Sequence, residues 1–212
     1  MKQLESIRMN FQEYKVLFVV VIIVSALLVA SPALQRLLVL PRTDFFTEMW
    51  LLGPEHKAEN FPFNVTSNER YTGFLGIGNN LGYCAYYLIQ VKFRNQTQPA
   101  ADSFNHMSSS LSSLYSVTAF VADKETWEIP ISFSFDYAYD NYNETLLEVR
   151  FKELKFNDVG LNINGYTSVW NPQGRVFFGN LFFELWIFND SVGSFQYHDR
   201  YVGLGFNMTS KS

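Results

Sequence analysis

Ser132-Phe133-Ser134-Phe135-Asp136-Tyr137 sets an aromatic ring at every second position. Successive side chains of a strand point to opposite faces, so this period of two means one buried face and one wet face. The alternation extends over Trp127 to Tyr139, and the same texture continues on both sides. N-terminal to it lie Phe45–Leu52, Ala58–Thr66, Tyr71–Asn79, Tyr83–Arg94 and Leu114–Ala122. C-terminal to it lie Leu146–Phe156, Val159–Val169, Val176–Phe178, Leu181–Phe188 and Phe195–Met208. Asn79-Asn80-Leu81-Gly82, Asp123-Lys124-Glu125 and Asn171-Pro172-Gln173-Gly174 read as turns. Short and split pieces taken together, this predicts about nine strands in an all-β, immunoglobulin-like β-sandwich. The 21 Phe and 12 Tyr residues supply its core. The polar stretch Asn95–Ser113 reads as a crossover between the two sheets.

Upstream, Val16 to Leu34 is a run of nineteen uncharged residues between Lys15 and Arg36. As a helix it spans roughly 28 Å, close to a bilayer's hydrocarbon core. It lacks the polar positions of a soluble helix, and Leu28-Val29-Ala30 is a poor cleavage site for a signal peptide. The expectation is one N-terminal transmembrane helix that anchors the chain in the lipid bilayer. Residues 1–15 form a cytoplasmic tail, residues 16–40 the span and its exit, and residues 42–212 the extracytoplasmic sandwich. Ser31-Pro32 and Leu40-Pro41 bound that exit, where the helix is expected to end.

Five Asn-X-Ser/Thr sequons, at Asn64, Asn95, Asn143, Asn189 and Asn207, all follow the span. They make these asparagines the candidate glycosylation sites and orient the protein as single-pass in the cell membrane, N-terminus inside and C-terminal domain extracellular. Asn95 and Asn189 sit at strand exits, where a glycan fits best.

Charge and motif searches narrow the function. Residues 42–212 carry twelve basic and eighteen acidic residues, which disfavours nucleic acid. The single cysteine, Cys84, allows no internal disulfide and reads as a small buried hydrophobe. Gly76-x-Gly78-x-x-x-Gly82 has the wrong spacing for a dinucleotide loop and precedes a strand; its glycines suit a hairpin and close strand packing. His56, His106 and His198 stand in three separate segments, unlike metal ligands. Asp136, Asp140, Asn141, Asn143 and Glu144 fit no calcium loop and read as a solvated turn. Trp50, Trp127, Trp170 and Trp186 lie in or beside strands and suit core packing. No Gly-x-Ser-x-Gly elbow occurs. The expected function is therefore non-catalytic, with no cofactor and no metal. The protein would be a membrane-anchored cell-envelope protein presenting a glycosylated sandwich for protein or surface-polymer contacts. The alternatives are an accessory subunit of a membrane protein complex and an extracytoplasmic carbohydrate-binding or hydrolytic module.

Three stretches carry a family likeness: Trp50-Leu51-Leu52-Gly53-Pro54-Glu55-His56-Lys57-Ala58-Glu59-Asn60-Phe61-Pro62, Asn64-Val65-Thr66-Ser67-Asn68-Glu69, and Phe74-Leu75-Gly76-Ile77-Gly78-Asn79-Asn80-Leu81-Gly82-Tyr83. Together they resemble an uncharacterised archaeal family of predicted membrane proteins, domain of unknown function 1616, over about residues 44–209. The resemblance implies a membrane setting and supplies no catalytic residues. The spacing of proline, Asn-Val-Thr and glutamate is also similar to adhesion-type immunoglobulin-like modules of prokaryotic surfaces.

Overall fold

A computed structural model describes residues 11–38, 45–141 and 147–209. The chain divides into two compact units, Met1–Asp44 and Phe45–Ser212.

The first unit contains α1, Phe11–Leu38. The helix continues past Ser31-Pro32, where the sequence predicts an end. A proline removes one backbone donor, and a helix otherwise intact on both sides accommodates that loss. The side chains described on α1 are those of Tyr14 to Val29, and all are exposed. Among the described residues no helix is long and apolar enough to cross a membrane.

The second unit is a two-sheet β-sandwich of eleven strands, where about nine were expected. The strands are β1 (Phe46–Leu52), β2 (Asn64–Thr66), β3 (Tyr71–Asn80), β4 (Ala85–Arg94), β5 (Tyr115–Val121), β6 (Thr126–Asn141), β7 (Leu147–Phe156), β8 (Val159–Asn162), β9 (Thr167–Val169), β10 (Phe178–Asn189) and β11 (Ser194–Thr209). One sheet, here sheet A, has the order β1-β3-β6-β7-β8, with β9 also on β7. The other, sheet B, has the order β2-β11-β10-β4-β5. All neighbours are antiparallel except β2 and β11.

Phe133, Phe135 and Tyr137, the rings of the alternating stretch, all point into the core. They meet Phe151 from β7, Phe93 from β4 and Phe206 from β11, with Phe93 and Phe135 centroids 5.1 Å apart. Rings of this size bury much apolar surface each and favour the tilted and edge-on contacts found here. The Tyr137 hydroxyl reaches the carbonyls of Val65 (2.6 Å) and Thr209 (2.7 Å), tying β2 and β11 to sheet A.

Four strand expectations change. Only Asn64–Thr66 of Ala58–Thr66 is a strand, because Pro62 offers no donor and Asn60 takes a positive φ of 60°. Val159–Val169 splits into β8 and β9 at Gly165, whose φ is 93°. Val176–Phe178 and Leu181–Phe188 join in β10, since Gly179 lies against Met208, Phe206 and Phe93 without breaking the ladder. Asn95–Ser113 is not a crossover: the strands it links, β4 and β5, are paired neighbours in sheet B. Cys84 is exposed, because it precedes β4 instead of lying within it.

Candidate interaction surfaces

The outer face of sheet A carries a cluster built on glycine. Trp50, Gly76 and Glu128 are cross-strand neighbours on β1, β3 and β6. A Cβ on Gly76 would fall on the Trp50 indole, so glycine forms the floor on which the ring lies. Above it the indole Nε1 donates to Glu128 Oε2 at 3.1 Å. His56 Nδ1 lies 3.1 Å from Glu128 Oε1, and its ring stacks on Phe74 with centroids 3.6 Å apart. His56 reaches this position because the turn after Gly53 closes through two hydrogen bonds, Gly53 N–H to Lys57 O and His56 N–H to Gly53 O, with His56 at a φ of 55°. A shallow groove of about 340 Å³ continues past Phe74, Pro130 and Ser132. It ends at Arg70, which donates to Asp158 (2.8 Å) and to the Ser132 hydroxyl (2.9 Å). The face thus offers ring surface, with the Glu128 and Asp158 carboxylates engaged by their neighbours.

The outer face of sheet B carries a buried ion pair. Lys92 and Glu184 occupy outward positions on β4 and β10, yet their side chains are 3% and 0% exposed. Lys92 Nζ donates to Glu184 Oε2 at 2.8 Å and to Ser109 O at 2.9 Å; Ser109 N–H donates to Glu184 Oε1 at 2.7 Å. Residues 95–113 therefore form a strap across the sheet, locked onto the pair through Ser109. Further along, His106 Nδ1 sits 2.7 Å from Asp199 Oδ2. At its tip Asp102 and Met107 bridge, and the Asn105 amide with the backbone N–H groups of Asn105 and Phe104 holds the Asp102 carboxyl below its ordinary range. This turn leaves Phe104 90% exposed, with Met107 exposed nearby. Sequence reading did not single out the pair. Its signal is a lone charge inside each of two apolar strand runs, Val91-Lys92-Phe93 and Phe183-Glu184-Leu185.

The expected glycosylation sites fall in different settings. Asn64 is exposed on β2 and its Oδ1 accepts from Asn207 Nδ2 at 3.1 Å, so these two sequons are neighbours. Asn207 Oδ1 also accepts the Phe177 N–H. Asn95 Nδ2 donates to Thr167 O at 2.7 Å, while its Oδ1 caps the turn at Thr97 and Gln98. Asn189 opens the β10–β11 turn, donating to Gln196 and accepting from Ser191 N–H. Asn143 lies outside the described residues, as does Glu144 in the acidic turn. Trp127 and Trp170 pack against the core as expected, whereas Trp50 and Trp186 lie on outer faces. Among the described residues no three His, Cys, Asp or Glu side chains gather into a metal-sized group.

The family model described as Domain of unknown function (DUF1616) matches residues 41–147. The chain belongs to that family. The matched segment contains β1 to β6 and so the whole Trp50–His56–Phe74–Glu128 cluster. No curated protein matches the chain. Among solved structures it is similar to a beta-glucosidase from Listeria innocua in complex with isofagomine, at 10% identity and a TM-score of 0.37. That likeness covers 79% of this chain and 16% of the glucosidase, so the chain spans about a sixth of that protein's length. It is also similar to the CARDB domain of a Pyrococcus furiosus protein in complex with di-metal ions, at 9% identity and a TM-score of 0.34, covering 80% of this chain and 93% of that one. A third similarity is to the sporulation control protein Spo0M from Bacillus subtilis, at 7% identity and a TM-score of 0.26, covering 76% and 90%.

Proposed function

We propose that this DUF1616 protein is a single-pass protein of the archaeal cell envelope. Val16–Leu34 anchors it in the membrane, and a non-catalytic, extracellular β-sandwich makes protein or surface-polymer contacts. The observation that carries this reading is the surface of α1. Every described side chain from Tyr14 to Val29 is exposed, and only Tyr14, Lys15 and Ser25 among them are not apolar. A helix that is apolar all round needs lipid or protein around it. The sandwich offers two contact surfaces: the ring cluster on sheet A and the strap tip with Phe104 and Met107 on sheet B. The five sequons after the helix support an exterior position.

Alkaline carbonate extraction of membranes containing the full chain tests the anchor. The protein stays in the membrane pellet; release into the supernatant would overturn the reading.

A further inference from the structure

We infer that the aromatic end of the sandwich, around Tyr83, Tyr86, Phe120 and Phe195, rests in the interfacial layer of the bilayer. This inference depends on the membrane-anchored reading above.

The register of the strands places these residues together. Phe46 pairs with Asn80, Gly78 with Thr126, Ala85 with Val121 and Asn189 with Ser194. The start of β1, the β3–β4 and β5–β6 turns and the β10–β11 turn therefore share one end of the domain. Phe45 lies against Gly82 there. One residue in from the end, on the outer face of sheet B, Tyr86 stacks on Phe120 with centroids 4.1 Å apart and planes 6° from parallel. Phe195 and Phe188 tilt against the same ring at 5.0 and 6.1 Å. Although stacked, Phe120 remains 71% exposed, and Phe45, Tyr83 and Val192 are exposed at the same end. Large exposed apolar side chains gathered at one end of a domain mark a contact site.

The chain itself selects lipid as the occupant. Phe45 is the first described residue of the domain, and six residues, 39–44, separate it from Leu38 at the end of α1. Fully extended, the seven steps from Leu38 to Phe45 reach at most about 25 Å. A bilayer that holds Val16–Leu34 is therefore within reach of this end of the domain. Aromatic side chains favour the membrane–water interface. The charged groups described here are Asp123, Glu125 and Asp190 against Lys124, an acidic excess that gains nothing from anionic headgroups. The contact is thus apolar and aromatic, and insensitive to anionic lipid.

The only cysteine of the chain, Cys84, is exposed at this end and serves as the probe position. The full chain is labelled there with an environment-sensitive fluorophore and reconstituted in phosphatidylcholine vesicles carrying nitroxide lipid labelled near the headgroup for positions 84 and 173 and deep in the acyl chain for position 24. Two comparison labels sit in a Cys84→Ser background: Gln173→Cys, in the turn before β10 at the opposite end, and Val24→Cys, within the anchor. Lipid nitroxide is expected to quench the label at 84 several-fold more than the label at 173. Phe120→Ser with Phe195→Ser removes most of that difference, and replacing a third of the lipid by phosphatidylglycerol leaves it unchanged. Quenching at position 24 with equal, weak quenching at 84 and 173 overturns the inference while keeping the anchor. So does a label at 84 shielded from aqueous iodide without lipid quenching, which means that another copy of the chain covers this end. Absence of quenching at position 24 overturns the anchored reading, and the inference falls with it.

Discussion

Lys92 and Glu184 form an ion pair 2.8 Å long on the outward face of sheet B, sealed from water by the strap that Ser109 locks onto both of them. Two charges removed from water are tolerated only with good geometry and further hydrogen bonds, and Ser109 supplies those through its N–H and its carbonyl. Removing one partner leaves the other buried and unpaired, at a cost of about 3–5 kcal/mol. For a chain of this size that lowers the melting midpoint by on the order of 10 °C. Lys92→Met should show this loss when the full chain in detergent is melted by circular dichroism, and Lys92→Met with Glu184→Leu should recover part of it. A single variant that melts with the wild type would refute the account of the strap.

A second polar chain crosses between the sheets near the start of β1. His198 Nε2 lies 2.8 Å from Thr47 Oγ1, which lies 3.0 Å from the Tyr87 hydroxyl. Burial holds the His198 imidazole below its ordinary range; the nearby Arg200 adds to this and Asp199 opposes it. The unfolded chain titrates near the ordinary value of about 6.5. Below that pH the unfolded state binds a proton that the fold does not, so stability is full above it and falls as pH drops through it. Compared over about pH 7.5 to 5.5, the melting midpoint of wild type should fall more than that of His198→Gln. Equal slopes would show that His198 does not titrate between the states.

Gly76 has no room for a side chain beneath Trp50, whereas a Cβ on Gly205 would make ordinary contact with Phe178. Gly76→Val should therefore cost about 1–3 kcal/mol through overpacking and free the indole from Glu128, which tryptophan emission reads as a red shift. Gly205→Ala should stay within about 0.5 kcal/mol of wild type. An unshifted emission in Gly76→Val would remove the glycine floor from the account of this face.

Glycopeptide mass spectrometry of protein from its native membrane checks the sequons. Asn64 and Asn189 should be occupied, being at an exposed strand and at a surface turn. Asn95 should be empty, because its Nδ2 is held in a part-buried bond to Thr167 O on β9, whereas the bonds of Asn189 are exposed and stay within its own hairpin. Full occupancy at Asn95 would contradict this ordering.

Much of the sandwich was legible because Phe133, Phe135 and Tyr137 obey a period of two, and that period fixes which face is buried. Elements decided by single residues were harder to read. Pro62 and Gly165 shorten expected strands, while Gly179 fails to break one because its neighbours Met208 and Phe206 leave space only for hydrogen. The strap was misread because a polar stretch gives no sign of its partner. Only the fold reveals that Ser109 meets Lys92 and Glu184, some seventeen and seventy-five residues away. The ring cluster was half legible. Trp50, His56, Phe74 and Gly76 lie in the stretches that carry the family likeness, but Glu128, which joins Trp50 to His56, comes from β6 and carries no local signal.

The central claim is a sandwich held outside the cell by an N-terminal anchor. The direct test is thiol labelling of intact cells with a membrane-impermeant maleimide, using the full chain with Gln173→Cys in a Cys84→Ser background and a Ser6→Cys counterpart in the tail. The account predicts that position 173 labels before lysis and position 6 only after it. Labelling of position 173 only after lysis would contradict it.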